Sequence, residues 1–254
     1  MRAAHALWWR ELVRFARQPS RVLSAVGSPL VFWLLIGSGF SGSFKLPGAA
    51  AEDLSYLEYF FPGTVVLLIL FAAIFSTISV IDDRHQGFLQ GVLASPTLAG
   101  ELALGKVAGG ATLAWIQGTA VLALAPVAGI DLDLGRFLAA SGVLAMLAFA
   151  LTALGFPLAW KVDSTQGFHA VMNLILVPMW FLSGALFPLS GAPDWLRAVM
   201  RWNPLTYGVS ALRQALYEGA RAAEPAANAW LVLAVWCGVA FAWSVAVVRR
   251  PTRS

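Results

Sequence analysis

The residues that could do chemistry in this sequence are few and widely scattered. The three histidines, His5, His85 and His169, are not spaced three or four residues from one another or from the single cysteine, so local spacing gives no metal-binding set. Asp82 and Asp83 are adjacent and therefore point to different sides of a helix, which makes them a poor acid–base pair. We expect no catalytic residue and no metal site, and this disfavours a membrane enzyme.

A sequence similar to a nucleotide-binding loop occurs at Gly100–Lys106, where GELALGK matches G-x-x-x-x-G-K. The next residue is Val107 instead of the serine or threonine that binds Mg²⁺, and no strand pattern precedes the match. The segment has the apolar content of the start of a membrane helix. We therefore expect this chain itself to bind no nucleotide and no other cofactor.

The long apolar segments contain only neutral polar residues in their interiors. These residues are Ser76, Thr77, Ser79, Gln117, Thr152, Asn173 and Ser183. Because transport driven by ions or protons usually needs ionisable groups within the spans, a bundle without buried charge would take its energy from elsewhere. Asn173 either lines a polar cavity or hydrogen-bonds to another helix. An ion- or proton-coupled carrier is kept as the alternative.

The composition indicates a membrane protein. Of the 254 residues, 59% are hydrophobic and 12% are charged, which is about half the charge of a typical soluble protein. The apolar residues come in blocks close to the roughly 20 residues that a helix needs to cross about 30 Å of hydrocarbon. Basic residues gather at the ends and beside these blocks, so the net charge of +4 does not indicate nucleic-acid binding.

We predict a single all-α polytopic membrane domain over residues 1–254 with six transmembrane helices. The spans are expected at residues 22–41, 59–81, 101–129, 137–160, 168–188 and 229–248. Six spans place both termini on one side, which would then hold 11 of the 17 Lys and Arg residues, against 6 on the other. The excess of positive charge predicts that both termini are cytoplasmic. The membrane is expected to be the bacterial inner membrane.

Residues 4–18 are predicted to form an amphipathic helix. Four arginines recur at spacings of four, three and four residues and share one stripe: Arg10, Arg14, Arg17 and Arg21. The other side is apolar and aromatic: Trp8, Trp9, Leu12, Phe15 and Ala16. Such a helix lies in the headgroup plane with its arginines toward anionic lipid. Alternatively, the same arginines contact a cytoplasmic partner.

The polar interruption between the second and third spans carries its own amphipathic pattern, which predicts a short surface helix over residues 84–95. Its apolar side contains Gly87, Phe88, Leu89, Val92 and Leu93. Ser95 is expected to cap the next helix, with Pro96 at its first position. This helix suits a docking element, and an ordinary loop is the alternative.

Residues 190–219 are predicted to form a hairpin of two helices on the outer side. One helix runs from Pro193 to Trp202, and Asn203-Pro204 begin a second that ends near Glu218-Gly219. The second helix is too apolar for open solvent and too short to span. We expect the hairpin to dip into the outer leaflet, where irregular backbone is tolerated against protein or a cavity; a surface pair of helices is the alternative.

Two stretches of the chain resemble the membrane subunits of type-2 ATP-binding-cassette exporters, and the likeness covers nearly the whole sequence. The first contains Arg84, Gly87, the LASP of residues 93–96 and the ELALGK of residues 101–106. The second contains FLSGALFP at 181–188, PDWL at 193–196, NPLTY at 203–207, and Arg213. Short outer loops are most similar to those of the drug and lipo-oligosaccharide exporters.

The resemblance implies a dimer of permeases driven by a separate cytoplasmic ATPase, which would bind ATP and Mg²⁺. The contacts to this ATPase would come from a coupling helix: Arg84, Gly87, Phe88, Leu89, Leu93, Ser95 and Pro96. The interfacial helix would contribute Trp9, Arg10 and Arg14.

The resemblance also implies a translocation path and an outer gate. A hydrophobic or amphipathic substrate would pass Phe32, Phe71, Phe75, Asn173, Met179, Phe181 and Ser183, although some of these aromatic residues could instead face lipid. The gate would comprise Pro188, Pro193, Trp195, Asn203, Pro204, Tyr207 and Arg213.

Overall fold

The computed structural model describes residues 2–17, 19–40, 55–95, 97–217 and 228–249. These residues contain ten α-helices and two short 3-10 turns, and no strand occurs among them, which confirms the all-α prediction. The helices are α1 (Arg2–Ala16), α2 (Pro19–Phe40), α3 (Tyr56–His85), α4 (Phe88–Ala94), α5 (Ala99–Leu122), α6 (Leu134–Lys161), α7 (Thr165–Phe181), α8 (Asp194–Trp202), α9 (Pro204–Leu216) and α10 (Ala229–Arg249). The 3-10 turns are Ala125–Ala128 and Leu189–Gly191.

Helix α3 is the centre of the bundle, because its sequence is apolar on all sides and most of its residues are buried. Helices α2, α5, α6 and α7 pack around it. Its start is fixed by a capping box: the Glu58 backbone N–H donates to Ser55 Oγ at 3.2 Å, and the Ser55 N–H donates to the Glu58 carboxylate at 2.8 Å. The capping box defines where the central helix begins.

The long helices alternate in direction. Cys237 donates to the carbonyl of Met146 and Ser244 to that of Ala153, and this constant offset shows that α10 runs parallel to α6. Helix α7 is antiparallel to α3, because its last turn contacts the second turn of α3. Helix α6 is parallel to α3, because Thr77 lies beside Gly155 while Ile69 and Leu144 both lie beside Gly118. Helices α2 and α5 are antiparallel to α3, as the pairs Phe32–Phe60 and Gly37–Leu57, and Lys106–Asp83 and Gly118–Ile69, show. Helices α3, α6 and α10 therefore run one way and α2, α5 and α7 the other. We call the two ends of the bundle the α1 end and the α8 end.

Three helices among the described residues are long and apolar enough to cross a membrane: α3, α6 and α10. The part of α2 from Pro29 to Phe40 is apolar but shorter. Helix α7 has 17 residues, and α5 has Glu101 in its first turn and carries Lys106 inside it. The structure therefore supports membrane character directly, and the count of six spans stays a prediction.

Two helices end earlier than the spans predicted from the sequence. Helix α5 ends at Leu122 and not at 129, because the chain turns into the 3-10 segment that contains Pro126. Helix α7 ends at Phe181 and not at 188. Gly184 follows with φ of +81°, a left-handed conformation that breaks the helix and that glycine adopts at little cost.

The predicted coupling helix is shorter than expected. Arg84 belongs to the last turn of α3, and Gly87, with φ of +73°, separates α3 from α4. Ser95 does not cap the next helix: it ends α4, where its hydroxyl donates back to the carbonyl of Val92 at 2.6 Å. Helix α5 instead begins after Leu98. Pro96 lies outside the described residues.

Candidate functional site

Helix α1 packs directly on α5 at the α1 end of the bundle, and two glycines make this close approach possible. A Cβ atom at Gly105 would lie 2.7 Å from the carbonyl oxygen of Ala4, and one at Gly109 would lie 2.7 Å from Cβ of Glu11. Because these positions have no side chain, the helices can meet with their backbones almost in contact. The contact brings the carboxylate of Glu11 against the ammonium of Lys106.

Lys106 is the centre of a buried charge cluster. Its Nζ lies 2.5 Å from Oε1 of Glu11 and also contacts Oδ2 of Asp83. The three side chains are only 1%, 6% and 0% exposed. The expectation of a bundle without buried charge is therefore wrong. Asp83 lies in the last turn of α3 and Lys106 near the start of α5, and the antiparallel packing of these helices brings the two charges together.

Arg10 and Arg14 complete the cluster from α1. Arg10 donates two hydrogen bonds of 2.7 Å to the two carboxylate oxygens of Asp83. Arg14 donates to Asp83 at 3.0 Å and to Asp82 at 2.9 Å. The hydrogen bond to Asp83 raises the pKa of the Arg10 guanidinium, so this pair stays charged at neutral pH.

The cluster changes the interpretation of the arginine stripe. Arg10 and Arg14 are directed toward carboxylates of this chain, while Arg17 is exposed; no side chain is described for Arg21. Trp8 donates to Oγ1 of Thr112 on α5 and so packs on protein. Of the two adjacent tryptophans, Trp9 is the exposed one, at 57%. Three cations face three carboxylates, which makes the cluster neutral as a whole.

Helix α4 is attached to this cluster. The guanidinium carbon of Arg10 lies 3.8 Å from the centre of the Phe88 ring, a cation–π contact. Leu89 is 3% exposed and belongs to the core, whereas Leu93 is 48% exposed. Leu98, just before α5, is 70% exposed. The apolar residues of α4 therefore have two roles. Phe88 and Leu89 pack the helix against the rest of this chain, and Leu93 faces outward.

Arg84 connects α3 with the end of α6. Its guanidinium donates to the carbonyls of Trp160 and Val162 and lies 3.2 Å from the carboxylate of Asp163. A cation beside the last carbonyls of a helix satisfies acceptors that have no partner within the helix. Arg84 therefore positions α6 at the α1 end and does not lie on α4.

An apolar cavity of about 280 Å³ lies between α2, α3 and α7. Three of the predicted path residues line it, namely Phe32, Phe71 and Phe181, together with Pro29, Leu67, Val177 and Trp180. The other predicted path residues are not part of this lining. Ser183 is buried and its hydroxyl donates to the carbonyl of Trp180 at 2.6 Å.

The remaining path residues lie on the helices that form this cavity. Phe75 is one turn beyond Phe71, with 6.5 Å between the ring centres. Asn173 is exposed on α7, and Met179 is half-buried. The backbone carbonyl of Met179 accepts a hydrogen bond from Asn203.

The α8 end contains the predicted gate. Asn203 caps α9 by accepting from the N–H of Leu205 at 3.0 Å, and Pro204 is the first helical residue, which confirms this pair as a helix start. Helix α9 ends at Leu216, slightly earlier than predicted. Pro188 and Pro193 precede the 3-10 turn and α8.

Two gate residues differ sharply in exposure. Trp195 is 70% exposed on α8, whereas Arg213 of α9 is 4% exposed. The Arg213 guanidinium carbon lies 4.1 Å from the centre of the Tyr59 ring, and Nη2 donates to the carbonyl of Gly184 at 2.9 Å. The Tyr59 hydroxyl donates to the same carbonyl at 2.9 Å. Tyr207 donates to the carbonyl of Arg201 at 2.9 Å.

Sequence reasoning missed several residues that organise these sites. Glu11, Lys106 and Tyr59 were not identified, although each makes a contact that joins two or more helices. The available signal for the two charged residues was that charges recur with helical spacing on segments that pack together. Among the described residues, no group of three or more His, Cys, Asp or Glu side chains could hold a metal ion.

Comparison with known proteins places the chain in a family. A model of the ABC-2 type transporter family matches residues 2–217. Nodulation protein J of Rhizobium leguminosarum bv. viciae is 26% identical over 251 residues, covering 96% of this chain and 93% of that protein. Nodulation protein J of Bradyrhizobium diazoefficiens is 28% identical over 253 residues, covering 96% and 92%.

A relative with a different name is similar over a smaller share of its length. The daunorubicin resistance ABC transporter permease protein DrrB1 of Streptomyces coeruleorubidus is 26% identical over 223 residues, covering 82% of this chain and 73% of that protein. The family match extends over most of the chain and includes the charge cluster, the cavity and both helices of the α8 end. The chain therefore belongs to the ABC-2 type transporter family and is a membrane permease.

Proposed function

We propose that this chain is the permease subunit of an ATP-driven exporter in a bacterial cytoplasmic membrane. Hydrolysis would take place on a separate cytoplasmic ATPase that binds ATP and Mg²⁺. The family match supports this assignment, as does similarity to a relative named as an ABC transporter permease of daunorubicin resistance. The substrate would be hydrophobic or amphipathic: a drug, an antibiotic, a lipid or a lipo-oligosaccharide.

The observation that carries the proposal is the attachment of α4 to the charge cluster. Arg10 contacts Phe88 of α4 and Asp83 of α3 at the same time. A force applied to α4 would therefore reach the central helix through a short chain of close contacts. Leu93 and Leu98 provide the exposed apolar surface on which an ATPase would dock.

The directions of the helices support a topology with six crossings. Helices α2, α5 and α7 alternate with α3, α6 and α10, as six sequential spans would require. The α1 end would face the cytoplasm, since it lies beside Arg10, Arg14, Arg84 and Lys106. The α8–α9 pair would then form the re-entrant outer gate, with α9 packed on α6 and α10.

Two copies of the permease would enclose the translocation path. The cavity lined by Phe32, Phe71 and Phe181 is open on one side in a single chain. The neighbouring faces of α2 and α7 carry exposed apolar residues: Val31, Leu34, Leu35, Val171, Leu174 and Ile175. A second permease, identical or closely related, would cover these faces and complete the path.

The docking surface can be tested by co-purification in lipid nanodiscs. The chain is expressed with candidate ATPases of its host, and wild type is compared with a Leu93→Asp, Leu98→Asp double variant. We expect the ATPase to co-purify with wild type and to be lost from the variant, because two charges would occupy the exposed apolar surface. Leu93 and Leu98 are better choices than Phe88, whose substitution would also remove the contact with Arg10.

A matched control is Val127→Asp, which changes an equally exposed apolar residue (72%) at the α8 end. This control should retain the ATPase. Equal binding by the double variant and wild type would show that α4 is not the docking site. Transport by the purified permease that required a proton gradient and no ATPase would instead support the ion-coupled carrier.

A further inference from the structure

Among the residues that the structure describes, the cavity between α2, α3 and α7 offers no free polar side chain to a ligand. Its lining is made of apolar and aromatic side chains, and the only polar atom among them, Nε1 of Trp180, already donates to the carbonyl of Gly63 at 2.8 Å. Its volume of about 280 Å³ is near the lower limit of small-molecule sites. The described lining of the cavity therefore suits an apolar group.

Three polar side chains lead to this cavity along one side of α7. Gln166, His169 and Asn173 are spaced three and four residues apart, and Val177 of the cavity follows four residues later. Residues with this spacing share one face of a helix. Gln166 and Asn173 are exposed and His169 is half-buried. We call these three residues the polar strip.

The polar strip and the cavity are parts of one surface. The His169 ring centre lies 5.5 Å from that of Phe75 in an edge-to-face contact. Phe75 in turn lies 6.5 Å from Phe71, which lines the cavity. Since α7 begins at the α1 end, the strip extends from that end toward the cavity in the middle of the bundle.

We propose that Gln166, His169 and Asn173 bind the uncharged, hydrogen-bonding head of an amphipathic substrate whose apolar body occupies the cavity. Amide and imidazole groups both donate and accept hydrogen bonds, which suits hydroxyl or amide groups. The strip contains no charged residue to balance a charged head. This inference rests on the proposed export function and specifies its substrate class: a molecule with its polar end toward the α1 end.

An amide at this position needs a polar partner if apolar groups surround this part of α7. Leaving an amide against acyl chains without a hydrogen bond costs free energy. The neighbours of Asn173 on the exposed side of α7, such as Leu174 at 76% exposure, are apolar. A polar substrate head within the path would satisfy the amide, and the cavity supplies the adjoining site for an apolar chain.

The experiment uses the permease–ATPase complex in nanodiscs and two photoreactive probes with the same ten-carbon chain. One probe is a decyl glucoside and the other is an alkane without a head group. We expect Asn173→Leu to weaken glucoside labelling about three- to tenfold, the effect of losing one or two hydrogen bonds. Labelling by the alkane should not change. Asn173→Gln, which keeps the amide, and Leu138→Val, which changes an exposed apolar residue of α6, should label as wild type does.

Three results would overturn the inference. One is unchanged glucoside labelling of Asn173→Leu, and another is equal loss of both probes, which would indicate a structural role. The third is an Asn173→Cys variant, prepared with Cys237→Ser, whose reaction with a thiol reagent is not slowed by the glucoside, because residue 173 would then lie away from the bound head. Failure of the proposed function would be seen separately: no ATPase would co-purify with wild type, while Asn173→Leu would still weaken labelling by the glucoside and not by the alkane.

Discussion

Lys106 of α5 and Asp83 of α3 form an ion pair in which both side chains are almost completely buried. Glu11 of α1 contacts the same ammonium from the other side. Lys106 therefore joins three helices at the end of the bundle where an ATPase would dock. Removing one partner of a buried ion pair lowers the stability of a protein far more than removing one partner of an exposed pair, because it leaves an unpaired charge in the interior.

Replacement of Lys106 by methionine should destabilise the protein strongly. The change would leave the carboxylates of Glu11 and Asp83 buried without the ammonium between them, and we expect a loss of about 3–5 kcal/mol in unfolding free energy. Thermal unfolding in nanodiscs measures the effect. A Glu11→Gln, Lys106→Met double variant should be more stable than Lys106→Met alone, since Asp83 keeps Arg10. Equal stability of the two variants would show that the buried carboxylate of Glu11 is not what destabilises Lys106→Met.

Replacement of Arg10 by lysine should uncouple transport from ATP hydrolysis. Lysine keeps the charge but cannot donate two parallel hydrogen bonds to Asp83 while lying flat on the Phe88 ring. We expect the ATPase to remain bound and the amount of substrate moved per ATP to fall severalfold. Proteoliposomes with both subunits give this ratio. Arg17→Lys, an exposed change on the same helix, is the control, and an equal decrease in both variants would contradict the prediction.

Gly105→Ala should loosen the packing of α1 on α5. The added Cβ would meet the carbonyl oxygen of Ala4 and Cβ of Leu7, each at 2.7 Å, so the two helices would have to separate. We expect a loss of about 1–3 kcal/mol in stability. Gly100→Ala lies on the same helix with no atom within 4 Å of its Cβ and should be neutral or stabilising. The midpoints of thermal unfolding distinguish the two, and a stable Gly105→Ala protein would indicate that the contact can adjust freely.

Arg213→Met should destabilise the α8 end. The variant would lose the contact with the Tyr59 ring and the hydrogen bond to Gly184, which together join α9, α3 and the segment after α7. We expect a loss of about 2–4 kcal/mol. Tyr59→Phe keeps the ring and should lose only about 1 kcal/mol. Hydrogen exchange would show faster opening of residues 182–188 in Arg213→Met; protection equal to wild type there would refute the role assigned to Arg213.

The sequence by itself determined the class of protein and the local signals of its helices. Apolar blocks of membrane length with little charge allow only helices here, because each helix satisfies its own backbone hydrogen bonds. Asn203-Pro204 marked the start of α9 correctly, since capping depends on neighbours within one turn. Motifs at residues 84–106 and 181–213 were sufficient to identify the family.

Only the tertiary structure decided which charges meet. Glu11, Asp83 and Lys106 are separated by 72 and 23 residues along the chain, and helical periodicity describes the faces of one helix without stating what lies opposite. The same limit explains why Arg10 was expected to face lipid or a partner and instead holds Asp83. Likewise, helical spacing places the polar strip on one face of α7, but only the contact between His169 and Phe75 relates that face to the cavity. Local patterns depend on adjacent residues, whereas ion pairs and cavities depend on how distant helices pack.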